Sequence, residues 1–302
     1  MATLNRGDLF SPETVRELFN KVKGHSALAV LADQEPIPHA GNEYFTFNLE
    51  GNAQIVGEGE TKREGTAVVE PKTIKPVKIV YQARVSDEFM YCADEKRLNY
   101  MKSFTEGFAV KIAEAFDIAA IHGLEPKSMT DASFQATNSF DGLVTDNVVK
   151  FDEAAVEDNI DAAAEMVVAN GGVMTGVALS PAAGSALGKV EVNGVRQYPE
   201  FRFGGSPAAL GGMKADVNRT LTMTGGSGSA DHAIIGDFEK AFRWGYAENI
   251  PMEVIQYGDP DQTGRDLKAH NEVCLRAEAY IGWGILVPES FARVEEATDV
   301  TP

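Results

Sequence analysis

The sequence has few cysteines, few basic residues and no long apolar run, and each shortage excludes a class of protein. Cys92 and Cys274 are its two cysteines, too few for a disulfide framework, so we expect buried free thiols in a protein of a reducing compartment. Apolar stretches such as 281–287 fall far short of the roughly 20 residues of a membrane-spanning helix. The first residues lack a basic segment followed by an apolar one, so we expect no secretory signal.

Acidic residues outnumber basic ones, with 45 Asp and Glu against 27 Lys and Arg, which gives a formal net charge of −18. Tight electrostatic binding to nucleic acid needs a surplus of basic side chains that neutralise phosphates, so the composition argues against such binding. Hydrophobic residues make up 44% of the 302 residues. A chain of this length and composition is expected to fold as one large domain or two modest ones.

Residues that could carry chemistry are scattered. None of the five histidines lies four residues from another or joins a pair of cysteines, so the sequence predicts no metal site. The segment 205–214 lacks the spacing of a phosphate-binding loop, and 226–231 lacks the third glycine of a dinucleotide-binding turn. Ser180, Asp231 and His232 are candidates for a hydrolase triad, but no Gly-x-Ser-x-Gly turn exposes a nucleophile. We therefore expect no catalytic residue, no cofactor site and no metal ligand.

One long amphipathic helix is the strongest local pattern. Apolar side chains recur every three or four residues from about 94 to 122, at Leu98, Met101, Phe104, Phe108, Ile112, Phe116 and Ala119. Gly123 is suited to end this helix. Gly107 lies in its interior at a cost of about 1 kcal/mol relative to alanine, which indicates a slight bend or a close approach by a neighbour.

The remaining patterns mix strands and helices and predict an α+β fold. Apolar residues alternate strictly over 77–86, as in a half-buried strand, and a polar connection covers 130–141. Further elements are expected as a helix over 152–169, a strand over 174–179, a short helix from Pro181, and strands over 252–255 and 273–279.

Residues 44–49 and 66–74 have the β-branched and aromatic content of strands and flank a charged, glycine-bearing segment at 57–65. A long hairpin of this kind is marginal in water unless it lies against another surface, which favours a partner subunit. The tip is either a solvated turn or an inter-subunit contact made through ion pairs. Its charged candidates are Glu58, Glu60, Lys62, Arg63 and Glu64.

Several segments together carry a resemblance to a known family. They are the hairpin at 41–76 with the strand ending at 83–86, the helix end at 116–123, and the segments 177–181, 204–207, 234–238, 271–280 and 287–291. In this order they resemble the major capsid proteins of tailed bacteriophages (Caudoviricetes), whose shell fold is shared with encapsulins. Each segment is a weak match alone, and the resemblance rests on their order and spacing.

The resemblance implies a phage major capsid shell fold and no enzymatic activity. Its parts would be an N-terminal arm at 1–40, an E-loop hairpin at 41–76, a peripheral domain with a long spine helix at 77–142 and 246–280, and an axial domain with a C-terminal tail at 143–245 and 281–302. Copies of the chain would form hexamers and pentamers of an icosahedral shell that encloses double-stranded DNA. The other implied partners are a portal protein and a decoration protein, with no membrane. Assembly would take place in the host bacterial cytoplasm, and the product would be the virion.

Two departures from the family refine these expectations. Some relatives begin with a long scaffolding segment, whereas Met1 here precedes the hairpin by only about forty residues, so we expect a separate scaffolding protein. Some relatives form an isopeptide bond from a hairpin lysine to an Asn that follows Arg-Asp. Here Leu267 follows Arg265 and Asp266, so we expect no such bond despite Lys62. An encapsulin-type compartment and a soluble hydrolase with an unrecognised site remain the alternatives.

Overall fold

The structure, a computed structural model, describes residues 25–50, 55–56, 58, 66–88, 94–225, 229–247 and 252–296. Its helices are α1 (Ala27–Leu31), α2 (Asp94–His122), α3 (Gln135–Asn138), α4 (Phe140–Leu143), α5 (Val156–Ala169) and α6 (Pro181–Leu187). Its strands are β1 (Asn42–Glu50), β2 (Thr66–Ile74), β3 (Val77–Ser86), β4 (Leu124–Glu125), β5 (Thr130–Asp131), β6 (Val148–Lys150), β7 (Gly176–Leu179), β8 (Glu191–Val192), β9 (Val195–Arg196), β10 (Ala209–Leu210), β11 (Met213–Val217), β12 (Asp231–Gly236), β13 (Phe242–Tyr246), β14 (Met252–Ile255), β15 (Glu272–Ile285) and β16 (Phe291–Glu295).

A four-stranded sheet is built around β15, the longest strand. β3 pairs antiparallel with β15 over ten positions, from Ser86 opposite Glu272 to Val77 opposite Ile281, while β13 and β14 pair with its other edge. This arrangement confirms the strands predicted at 77–86, 252–255 and 273–279. Cys274 lies on β15 as a buried free thiol, as expected, and Cys92 lies outside the described residues.

The predicted long helix is confirmed over Asp94–His122 as α2, which we call the spine helix. It ends where Gly123 takes a φ of +66°, and the amide of Gly123 donates to the Ala119 carbonyl over 3.1 Å. A Cβ at this position would lie 2.5 Å from Cγ of Gln135. Glycine is therefore required here both by the backbone conformation and by the close approach. No helix of the described part of the chain is long and apolar enough to cross a bilayer.

Aromatic side chains hold the spine helix against the four-stranded sheet. The Phe116 ring is fully buried, with its centroid 5.3 Å from that of Trp244 on β13 and 5.7 Å from that of Trp283 on β15. Each such aromatic pair contributes about 0.5–1.5 kcal/mol beyond the area that it buries. Phe108 and Ile112 extend the same buried stripe along the helix, as the spacing predicts.

A second sheet has six strands in the order β10-β11-β7-β12-β16-β6 and a core on each face. Ala178 and Ile234 face the core shared with α1 and the spine helix, whereas Val177 and Ile235 face the core shared with α5 and α6. Because both faces are covered, strands β7 and β12 are buried along their whole length.

The structure differs from the sequence prediction at two connections. The polar stretch 130–141 is not a plain connection, since it contains β5, α3 and the start of α4, and the Ser139 hydroxyl caps α4 by accepting from the Gly142 amide over 3.1 Å. The helix expected from 152 begins with a 3-10 turn over Glu153–Ala155, which Asp152 caps, before α5 follows. The helices α3 and α4 and the 3-10 turn each span about one helical turn, which is too short for an apolar repeat to reveal them in a sequence.

Candidate functional site

The hairpin formed by β1 and β2 is fixed to the body of the protein at its base. The two nine-residue strands pair from Asn42 opposite Ile74 to Glu50 opposite Thr66, which confirms both predicted strands. Ile74 is buried, and a Cβ at Gly284 would lie 2.7 Å from its Cδ1. The Lys72 ammonium group donates to the Ile285 carbonyl over 2.5 Å, which ties β2 to the end of β15.

One face of the hairpin presents apolar side chains to solvent. Phe45 is 57% exposed and lies opposite Pro71, which is also exposed. Val69, two residues before Pro71 on the same face, is 46% exposed. Exposed apolar residues that are grouped in this way mark an interaction surface. The hairpin therefore offers an apolar face that the described part of its own chain leaves uncovered.

The charged tip of the hairpin is described only in part. Glu58 is exposed in a turn, and Glu60, Lys62, Arg63 and Glu64 lie outside the described residues. An inter-subunit role for these five side chains stays a prediction.

A buried carboxylate joins three parts of the fold. Asp117 of the spine helix is fully buried and accepts hydrogen bonds from the Ser26 hydroxyl at 2.5 Å, the Ala27 amide at 2.9 Å and the Thr220 hydroxyl at 2.9 Å. Burial raises the pKa of Asp117 to about 6 although these bonds favour the ionised form. The Asp117 cluster, defined by these four residues, pins the N-terminal end of α1 and the turn at 219–222 to the spine helix.

A second polar cluster contains the buried residues His122, Asp231 and Arg293 and the half-buried Asp141. The His122 ring faces Oδ2 of Asp141 at 3.0 Å and the Thr220 carbonyl at 3.2 Å, through different nitrogens. Both partners are acceptors, and this arrangement favours the ring protonated on both nitrogens. Burial alone would lower the pKa of His122, but the hydrogen bond and charge of Asp141 outweigh it and raise that pKa.

The ligand atoms of His122, Asp141 and Asp231 lie within 4.8 Å of one another, close enough for a metal ion. However, Nη2 of Arg293 lies 2.9 Å from an oxygen of each carboxylate, and its Nε also donates to Asp231 at 3.1 Å. The guanidinium group thus already supplies the positive charge that a metal would bring. The donor set fits an internal ion-pair network, which we call the Arg293 network.

The structure brings Ser180 and His232 together but does not complete a hydrolase triad. The Ser180 hydroxyl is 3.0 Å from Nδ1 of His232, is buried, and accepts from the Ala183 amide as the cap of α6. Phe151 stacks on the His232 ring at 3.8 Å. Asp231, which a triad would need beside the histidine, instead bonds to Arg293. Within the described residues this pair is a buried structural contact.

The glycine-bearing segment at 205–214 forms a β-turn instead of a phosphate loop. Gly211 and Gly212, with φ of +57° and +92°, make the turn between β10 and β11. Lys214 lies within β11, with its Nζ 3.5 Å from Glu239. A phosphate-binding loop opens a helix whose amides face the anion, and a strand follows here. Part of the other glycine segment, 226–228, lies outside the described residues.

Sequence reasoning missed both polar clusters, because their members are far apart in the chain. Asp117 and Thr220 are 103 residues apart, and Asp231 and Arg293 are 62 apart. The available signal was the presence of Asp117 within the apolar helix end at 116–121 and of Arg293 within the apolar strand 291–294. A charged residue inside an apolar stretch indicates a buried partner.

Comparisons with known proteins agree over nearly the whole chain. A model of the phage capsid family matches residues 6–295. A solved structure from Mycobacterium phage Ogopogo is 29% identical with a TM-score of 0.77, covering 90% of this chain and 92% of that chain. A solved structure from Gordonia phage Cozz is 24% identical with a TM-score of 0.72, covering 90% of this chain and 86% of that chain.

The capsid of a native GTA particle shares the fold, at 15% identity and a TM-score of 0.60, covering 99% of this chain and 94% of that chain. A comparison with curated protein sequences found no match. The mixed helix and sheet architecture expected from the resemblance is confirmed by these structures. The chain belongs to the phage capsid family and is a structural major capsid protein.

Proposed function

We propose that this protein assembles with copies of itself, as hexamers and pentamers, into an icosahedral shell that encloses double-stranded phage DNA. The observation that carries the proposal is the exposed apolar face of the hairpin, with Phe45 57% exposed, in a chain that the capsid family matches over residues 6–295.

We assign the parts of the chain to the regions that the family resemblance implies. Residues 1–40 are the N-terminal arm, 41–76 the E-loop, 77–142 and 246–280 the peripheral domain, and 143–245 and 281–302 the axial domain with its tail. The second cluster of buried side chains lies wholly within the axial ranges, which supports an axial domain with a core of its own, whereas the first cluster joins the spine helix to strands of both ranges. β13 and residues 281–285 of β15 pair in the same sheet as β3, although these boundaries assign most of β13 and the end of β15 to the axial domain.

The shell has further partners in this proposal. A separate scaffolding protein directs assembly in the host bacterial cytoplasm, a portal protein occupies one vertex, and a decoration protein is an optional addition. The net charge of −18 suits a wall that holds DNA without sequence-specific contacts, because it gives the phosphates few cations to bind. The chain acts without catalysis, which is supported by Ser180 being buried with its hydroxyl engaged as the cap of α6.

The family match and the phage structures do not favour an encapsulin-type compartment or a hydrolase. Particles isolated from cells that express this gene with its neighbouring genes test the choice. We expect icosahedral particles of this protein with nuclease-protected double-stranded DNA. Shells that hold a cargo enzyme and no DNA would contradict the proposal.

Scaffolding and cross-linking have separate tests. Expression of this gene alone should give irregular or incomplete assemblies, and uniform shells would contradict the proposal of a separate scaffolding protein.

Leu267 is fully buried at the position where cross-linking relatives carry the reactive Asn, which supports the absence of an isopeptide bond. Mature particles boiled in denaturant should run as one band of 32.5 kDa. A ladder of linked subunits would show that the expectation is wrong.

A further inference from the structure

An aromatic side chain stands exposed on a strained backbone beside α6. Phe203 has a φ of +59° and is 94% exposed, whereas Phe201, two residues earlier, is buried. The left-handed conformation is unfavourable for a residue with a Cβ, and an exposed phenyl ring gains no burial from its own chain. Strain of this kind is kept where the residue has a function.

Arg202 accompanies this ring. Its guanidinium carbon lies 4.6 Å from the centroid of the Phe203 ring, in a cation–π contact. No carboxylate of the residues that the structure describes forms an ion pair with Arg202, although acidic residues outnumber basic ones in the chain. Arg202 and Phe203 together form a projection with an apolar body and an unneutralised positive charge, which we call the 202–203 knob.

A groove of about 310 Å³ near the same helix has the opposite character. Leu187, Tyr198 and Leu210 form its apolar floor. Glu157, Asp158 and Asp161 form its acidic rim. Asp158 and Asp161 are exposed, and neither forms an ion pair with a cation in the described ranges. We call this feature the acidic groove.

In its own chain the knob does not occupy the acidic groove. Gly204, the residue after the knob, borders a different cavity beside Pro181 and Ser185 of α6, whereas Leu187 borders the acidic groove. Neither Arg202 nor Phe203 lines the groove, and within the described residues Arg202 forms no ion pair with Asp158 or Asp161. The groove of one chain is therefore open to a second copy.

We propose that Arg202 and Phe203 of one copy insert into the acidic groove of a neighbouring copy. The phenyl ring would cover the apolar floor, and the guanidinium group would meet the carboxylates of Asp158 and Asp161. Such a contact joins unlike surfaces, so repeating it by rotation closes a ring of copies. This inference rests on the proposed shell function and names the residues that make one of its contacts.

Phe203→Gly tests the knob. Glycine adopts a φ of +59° without strain, so the melting temperature of the unassembled chain should not fall. The formation of multi-copy rings and shells, followed by native mass spectrometry and electron microscopy, should weaken at least about tenfold, as for a central interface residue. Val173→Ser is the matched control, because Val173 is 57% exposed and lies outside the knob and the groove.

A charge exchange tests the pairing itself. Arg202→Glu should weaken assembly to a similar degree, and Arg202→Glu combined with Asp161→Arg should restore most of it. If the wild-type protein and Phe203→Gly assemble equally well, the 202–203 knob does not contribute to assembly, and the proposed shell function still holds. If the double variant fails to recover while both single variants stay folded, the pairing with the acidic groove is wrong. If the wild-type chain never assembles, the shell function and this inference both fail.

Discussion

The hydroxyl of Ser26 donates a 2.5 Å hydrogen bond to the carboxylate of Asp117, which lies 91 residues later in the chain. Asp117 also accepts from the Ala27 amide, so it caps α1 from the side of the spine helix. The first described residues of the chain are thereby fixed to the centre of the fold.

Asp117 should make the stability of the unassembled chain depend on pH. Its pKa is raised from 3.8 to about 6 on folding, so the folded chain holds this proton more tightly than the unfolded chain. The contribution of Asp117 to the unfolding free energy is therefore largest below pH 4. It falls by about 3 kcal/mol as the pH rises through 6. Asp117→Asn removes this titration.

Chemical denaturation of wild type and Asp117→Asn at pH 4, 5, 6 and 7 measures the effect. The difference between their unfolding free energies should shift in favour of the Asn variant as the pH rises and level off above pH 6. A difference that stays constant over this range would show that Asp117 does not titrate there.

Arg293 should be far more important than an exposed arginine. Arg293→Met leaves Asp231 buried without the cation beside it and removes one of the two basic partners of Asp141, which we expect to cost about 3–5 kcal/mol in unfolding free energy. Arg196→Met is the control, since it removes a pair with Glu191 at 2.9 Å whose side chains are 32% and 44% exposed, and it should cost at most about 1 kcal/mol. Urea unfolding of the unassembled variants measures both losses of unfolding free energy. Equally small losses for the two variants would refute the stabilising role of the Arg293 network.

Gly107 should be replaceable by alanine within the chain. A Cβ at this position in the spine helix would meet no atom within 4 Å, so Gly107→Ala should stabilise the unassembled protein by about 1 kcal/mol. Gly123→Ala is the opposite control, because φ is +66° and Gln135 is in the way. Thermal unfolding compares them. A destabilised Gly107→Ala variant would contradict this reasoning. A variant that is more stable but no longer assembles would indicate that a neighbouring copy packs closely against Gly107.

The apolar face of the hairpin should matter for assembly and little for folding. Phe45→Ser changes a side chain that is 57% exposed, so the unfolding free energy should move by less than about 0.5 kcal/mol. Sedimentation should show a marked loss of multi-copy particles, whereas Val173→Ser, with equal exposure, should assemble normally. Normal assembly of Phe45→Ser would show that the apolar face of the hairpin is not part of an interface between copies.

Local patterns predicted much of the fold. The 3.6-residue repeat and Gly123 defined the spine helix, and period-two alternation defined β3, because both signals depend on neighbours within a few residues. The hairpin strands followed from their composition. The short helices α3 and α4 were missed, since four residues carry no period.

The polar clusters could not be predicted from the sequence. Nothing near Asp117 indicates that its partner is Thr220, and an aspartate in a helix is more often exposed than buried. The same holds for the Arg293 network, whose members come from the spine helix, α4, β12 and β16. Such contacts arise from the packing of distant elements and become visible only in three dimensions.

Cryo-electron microscopy of the purified full-length protein tests the central claim most directly. We predict shells, or rings of copies where the scaffolding protein is absent, with the β1–β2 hairpin of each copy resting on its neighbour. A compact monomer at every concentration, with the hairpin folded onto its own chain, would contradict the claim.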